Sequence, residues 1–268
     1  MSLTVAGRSA PRILVVGASQ GMGRAAALRL ASGGARVALV ARTPADLDAV
    51  AKDVSAAGAV DVLTVPTDVT DPAAVVTAVD APLQRWGGLD GLVNAVGLCE
   101  PVDGGFLETD DGHWQRAFDA VLLYAVRTCR AALPHLLDGG GAIVNVSAMS
   151  SRHYLPMMPH YSSQKLALAH LTKNLAKEFG ARGIRTNAVM PGMVSSDAVA
   201  RRKAAAMAEH GWDDEQFFDY VNTKYSQCTW GGRLGQPDEV GAAIAWLISD
   251  DASYVNGAWL PVDGGSTF

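Results

Sequence analysis

Cysteine is scarce in this chain: Cys99, Cys129 and Cys228 are three in 268 residues, odd in number, far apart and without a CxxC pair. That argues against a disulfide framework and against a metal site, and the three are expected to be reduced thiols. Long apolar runs are missing as well. No stretch stays apolar for the ~18 residues that a membrane span needs, and residues 1–12 lack the apolar core of a secretory signal. A cytoplasmic protein without a membrane partner is the expectation. Basic charge is also short, with 22 Lys and Arg against 27 Asp and Glu and a formal net charge of −5. Without a cationic field to hold a polyphosphate backbone, nucleic acid is not expected as the main partner.

What is present is a globular composition, 49% hydrophobic and 18% charged. Apolar, β-branched runs alternate with helical patterns: strand 13–16, helix 24–32, strand 37–40, helix 44–57, strand 62–65, helix 72–86 and strand 89–94. A long helix over 114–137, strand 142–147, helix 161–179, strand 185–190 and a last strand 258–262 follow. Strands that are apolar throughout suit a sheet buried on both faces. The pattern therefore predicts an α/β fold, a Rossmann-like doubly wound parallel sheet with helices on both faces. No linker interrupts it, so residues 13–268 are read as a single domain behind a flexible tail over 1–12. Residues 195–230 break the rhythm. They carry Trp212, Phe217, Phe218, Tyr220, Tyr225 and Trp230 beyond a strand end, and read either as a substrate lid or as an oligomer surface.

Gly17, Gly21 and Gly23 fall in the loop between the first strand and first helix, together with Ser19, Gln20 and Met22. Missing side chains there let a backbone approach a pyrophosphate aimed at a helix N-terminus. After the second strand the chain reads Val40-Ala41-Arg42, with no carboxylate for the adenosine ribose. The guanidinium of Arg42 suits a 2′-phosphate, which favours NADP(H) and leaves NAD(H) open. Asp68, followed by Val69, is either an acceptor for the adenine amino group or a turn aspartate. Tyr161 and Lys165 stand four apart on one helix face, where an ammonium can bring a phenol of pKa near ~10 closer to use as a proton donor.

Taken together, the chain resembles the short-chain dehydrogenase/reductase family over nearly its whole length. The markers are the glycine pattern, Asp68-Val69, Asn94-Ala95-Val96-Gly97, Tyr161 with Lys165, and Pro191-Gly192. The resemblance implies that Tyr161 moves the substrate proton and that Lys165 binds the nicotinamide ribose and depresses the tyrosine's pKa. It further implies that Asn94 and Ala95 line the cofactor channel and that Gly97 packs against it. Val194 and Ser196, beyond Pro191 and Gly192, would contact the carboxamide. A homo-oligomer, tetramer or dimer, follows by the same resemblance.

Two departures stand out. Val121 takes the place of the family's relay asparagine, and Ala148 that of its substrate-orienting serine. Ser147 is the candidate replacement, with His153 and His160 as lesser ones. The expected activity is hydride transfer between NADP(H) and a bulky apolar or cyclic ketone or secondary alcohol. The departures keep a non-redox isomerase, lyase, cyclase or dinucleotide-binding regulator as the alternative.

Overall fold

A computed structural model describes residues 3–155, 157–225 and 232–266. Seven strands form one parallel sheet: β3 (Arg12–Val16), β4 (Arg36–Ala41), β5 (Asp61–Pro66), β6 (Gly91–Asn94), β7 (Gly141–Val146), β8 (Ile184–Pro191) and β9 (Trp259–Val262). Their spatial order is β5-β4-β3-β6-β7-β8-β9. The order reverses between β3 and β6, which opens a crevice at the carboxyl ends of those two strands.

The side chains of β3 alternate and so feed two cores. Ile13 and Val15 pack with Leu30 of α1 (Gly21–Ser32), Leu47 of α2 (Pro44–Ala56) and Ile244 of α9 (Pro237–Ile248). Leu14 and Val16 pack on the opposite face with Val79 of α3 (Pro72–Trp86), Ala125 of α5 (Tyr124–Leu136) and Leu168 of α6 (Pro159–Phe179). This is the two-sided burial that continuous apolar strands require. Truncating Leu30, Leu47, Leu168 or Ile244 to alanine is expected to cost about 2–5 kcal/mol.

Three features depart from the sequence expectations. Where a flexible tail is expected, β1 (Thr4–Val5) and β2 (Arg8–Ser9) pair as a small hairpin. Val5 is buried, and the Ala6 and Gly7 amides donate to the Asp250 carboxylate at 2.8 and 2.9 Å. The apolar residue needs cover and the carboxylate satisfies the turn. The long helix over 114–137 is divided into α4 (Asp111–Ala117), a π-helical stretch over Phe118–Leu123, and α5. Such a stretch accommodates an extra residue without glycine or proline, so local composition does not announce it. Helix α9 is also additional. Its start, Gln236-Pro237-Asp238-Glu239, forms a capping box, and Gly241 lets it approach α1 so closely that a Cβ there would lie 2.7 Å from the Ala25 backbone.

Candidate active site

The carboxyl ends of the strands bring the chemistry-bearing residues to one edge: Gly17 after β3, Arg42 after β4, Asp68 after β5, Gly97 after β6, Ser147 after β7 and Gly192 after β8. At the crevice, Gly17 adopts φ +89°, and a Cβ on it would lie 2.9 Å from the Ala95 carbonyl carbon. A Cβ on Gly23 would lie 2.1 Å from the Gly17 carbonyl oxygen. Side chains at either position would fill the cradle. The N-cap of α1, Gln20, makes no side-chain capping bond, so the helix end keeps open amides. One of them, Gly21 N–H, donates to the Asp197 carboxylate at 3.1 Å. A negative oxygen thus already sits where a helix dipole favours an anion, and the cradle fits a dinucleotide pyrophosphate.

Around the adenosine end, Arg42 is exposed beside Asp68. The Asp68 carboxyl is held below its ordinary range first by the Thr70 amide, then by the Thr70 hydroxyl, with Arg42 adding to the effect. Both Thr70 bonds fall on Oδ1, at 2.9 and 2.7 Å, so Asp68 closes a turn through that oxygen while Oδ2 lies outside it. Ser196 caps α7 (Asp197–His210), its Oγ accepting from the Val199 amide at 3.4 Å. Val194 is buried and bridges to Gly235.

Tyr161 and Lys165 meet as their spacing on α6 demands. The Lys165 ammonium lies 5.6 Å from the Tyr161 ring centroid and donates to the carbonyls of Val96, 3.2 Å, and Val146, 2.7 Å. Gly97 packs against both: a Cβ there would stand 3.6 Å from Nζ and 3.9 Å from the tyrosine ring. Burial lowers the Lys165 pKa to about 8. Burial, with the Cys99 thiol adding to it, holds the Tyr161 phenol well above its ordinary value. Desolvation sets the direction for that phenol, while the ammonium donates to two carbonyls and lies over the ring.

Tyr161 opens into a cavity of about 350 Å³. Five methionines line it, Met22, Met149, Met157, Met158 and Met193, together with Phe217 and Tyr220 from α8 (Asp214–Tyr225). Trp212 braces this wall by packing against Tyr220, 4.8 Å between centroids with the rings tilted by 44°. The Tyr225 side chain, Cys228 and Trp230 lie outside the described residues. Arg202 of α7 is the one charged side chain in the wall among the described residues, and it donates to the Cys99 carbonyl at 3.3 Å. Sequence reasoning did not single out Arg202, nor Cys99 as the neighbour of Tyr161. Cys99 follows Gly97 by two residues, a local signal; Arg202 sits on a helix that only folding brings to the cavity.

Two expected site residues turn elsewhere. The Asn94 side chain does not face the cofactor channel. Its amide donates to Asn145 Oδ1 at 2.9 Å and its oxygen accepts from Thr128 Oγ1 at 2.7 Å, because a fully buried amide must be satisfied. Ser147 donates to the Lys165 carbonyl at 2.7 Å and lies 2.8 Å from Ser151 Oγ. Ser147 lines the same cavity as Tyr161, but its hydroxyl proton is committed to the packing of α6 on β7. Val121 is fully buried in the π-helical stretch and brings no polar group to a relay. His160 is buried against His113 and Trp114, 5.9 and 6.3 Å between ring centroids, and burial lowers its pKa.

Comparison with known proteins matches residues 17–267 to a family described as "Enoyl-(Acyl carrier protein) reductase". Meso-2,3-butanediol dehydrogenase of Serratia marcescens is 34% identical over 95% of this chain and 94% of its own length. Cis-4-hydroxycyclohexanecarboxylate dehydrogenase of Sinomonas cyclohexanicum is 37% identical over 96% and 97%. Among solved structures, L-sorbose reductase of Gluconobacter frateurii, complexed with NADPH and L-sorbose, superposes with a TM-score of 0.92 at 29% identity, covering 100% of this chain and 99% of that one.

Proposed function

The chain belongs to the short-chain dehydrogenase/reductase family, and from that membership we propose that it is an NADP(H)-dependent oxidoreductase interconverting a ketone and a secondary alcohol on a bulky apolar or cyclic frame. The observation that carries the reading is Tyr161, with Lys165 and Gly97 against it, opening into an apolar cavity beside the glycine cradle. A phenol held above its ordinary pKa keeps its proton at neutral pH. That proton is the one reduction must deliver to the carbonyl oxygen, and the raised pKa opposes its delivery, so this role requires the Lys165 charge to bring the phenol down once cofactor and substrate are bound. The Lys165 ammonium, with its pKa of about 8, is charged at pH 7 and holds positive potential beneath the ring.

A bound nicotinamide supplies or takes up the hydride. The chain's part is to seat it: Gly17, Ser19, Gln20, Gly21, Met22 and Gly23 at the pyrophosphate, Arg42 at a 2′-phosphate, Asp68 and Val69 at the adenine. Ala95 and Gly97 would form the channel wall by their backbone, Lys165 would hold the nicotinamide ribose, and Pro191, Gly192, Val194 and Ser196 the carboxamide. Helices α7 and α8 serve as the substrate lid. Their methionines and aromatics adapt to varied apolar shapes, and the guanidinium of Arg202 favours a frame that also carries a carboxylate or similar anion. The Sinomonas relative, a cis-4-hydroxycyclohexanecarboxylate dehydrogenase, is named for such a frame. Homo-oligomerisation is the companion proposal, checked by sizing the pure protein.

The second reading, binding without redox turnover, is favoured by the missing helpers at Val121 and Ala148. One experiment separates the two. The purified protein is mixed with NADPH or NADH and a panel of cyclic ketones and alcohols while cofactor absorbance is followed. Turnover, with NADPH preferred, supports the first reading; cofactor binding with no consumption on any substrate transfers the weight to the second.

A further inference from the structure

Three buried hydroxyls among the described residues have no hydrogen-bond partner: Ser150, Ser162 and Thr186. Only Ser150 also lines the cavity into which Tyr161 opens. It stands in the short turn Met149–Ser151 directly beyond β7 and is 7% exposed. Its neighbours cannot serve the same end. Ala148 has no hydroxyl, and Ser147 is bound to the Lys165 carbonyl and to Ser151. A buried hydroxyl left without a partner is costly, and native folds keep few of them. Where one persists beside a proton donor in a ligand cavity, a ligand atom is the natural partner.

We propose that Ser150 hydrogen-bonds the reacting oxygen of the substrate opposite Tyr161, filling the role that Ala148 leaves empty. The inference rests on the redox reading above. Oγ itself is buried in the present rotamer, so the bond requires a turn about χ1 to another staggered well that brings Oγ to the cavity surface. A hydroxyl donates one bond there while its lone pairs remain available. In the reducing direction the carbonyl carbon gains hydride from the cofactor and its oxygen gains the Tyr161 proton. Ser150 keeps its own proton throughout and stabilises the charge growing on that oxygen.

The test uses the full chain with NADPH and a cyclic ketone, reading kcat, KM, NADPH dissociation constant and Tm. Ser150→Ala is expected to lower kcat about 100-fold. NADPH affinity stays unchanged, and Tm stays equal or rises, because an unsatisfied group has been removed. Adding Ala148→Ser to that variant is expected to recover at least ~10-fold of the loss. A Ser150→Ala protein that keeps kcat within about three-fold overturns the inference. So does a loss of kcat matched by loss of Tm or NADPH affinity, which marks a packing role. Wild-type protein that binds NADPH but reduces no ketone overturns the redox reading and this inference with it, an outcome visible before any variant is made.

Discussion

The two edges of the parallel sheet treat their charged groups differently. At the amino edge every prominent charge is satisfied. The Asp90 carboxylate, 1% exposed, accepts from Arg12 N, Nε and Nη2 at 2.7–2.8 Å and pairs with Arg8 at 3.2 Å. Arg185, entering β8, donates to the carbonyls of Leu247, Ile248 and Ser249 at the end of α9 and of Ala252 in the turn that follows, and so closes a helix terminus. At the carboxyl edge lie a start of α1 without a side-chain cap, an unpartnered Ser150 hydroxyl, and a buried ammonium that donates to two carbonyls and whose pKa burial lowers. Groups satisfied at home hold the fold together, whereas groups left wanting are available to ligands. Stability and chemistry are thereby assigned to opposite ends of the same strands.

The largest expected effect sharpens that division. Tyr161→Phe should lower kcat by about 100- to 10,000-fold while thermal unfolding and NADPH binding stay near wild type; steady-state kinetics beside a melting curve checks both, and a large fall in Tm would break the comparison. The mirror-image change is Asp90→Ala. It leaves two arginines facing an emptied, buried site, which costs about 3–5 kcal/mol and lowers Tm by roughly 10 °C, with KM unchanged in the protein that remains folded.

Lys165→Met tests how the carboxyl edge holds a charge. Burial moves the Lys165 pKa from 10.5 to about 8. Below pH 8 the folded and unfolded chains both carry the proton, and the buried charge is a constant cost. Between pH 8 and 10.5 the folded chain gives it up first, so wild-type stability should gain on the variant by up to about 3 kcal/mol. Denaturant titrations at neutral and alkaline pH read this directly, and a difference that does not change with pH contradicts it. Arg42→Ala should weaken NADPH by about 10- to 30-fold and NADH by no more than ~2-fold, the worth of a charge-assisted bond; equal losses would remove the argument for a 2′-phosphate. Smallest is Arg202→Ala, expected to raise KM about five-fold for a cyclohexanone carrying a carboxylate and to leave the neutral analogue unchanged, as befits an exposed pair.

Much of this was legible before folding because it is periodic or local. Residues 13–16 and 37–40 are apolar without alternation, and a strand of that kind has to be covered on both faces. The cradle was legible for a related reason: Gly17 and Gly23 are places where a Cβ collides with backbone, so the residue type itself records the close approach. The spacing of Tyr161 and Lys165 is a helical turn and needs no tertiary information. By contrast, the π-helical stretch around Val121 has no composition signal, and the hairpin over residues 4–9 depends on Asp250, more than 240 positions away.

From its order of residues alone, then, the chain determined a doubly wound sheet, a glycine cradle at a helix start and a phenol beside an ammonium, because backbone sterics and helix periodicity act over a few residues. Only the tertiary structure decided which hydroxyl is free. Asn94 and Ser147 look from sequence like site residues, yet partners from distant elements, Asn145, Thr128 and the Lys165 carbonyl, claim them, while the hydroxyl of Ser150, a residue of the cavity lining, is left without a partner. Hydrogen bonding is allotted by what burial brings within about 3 Å, and that proximity exists only after the strands have assembled.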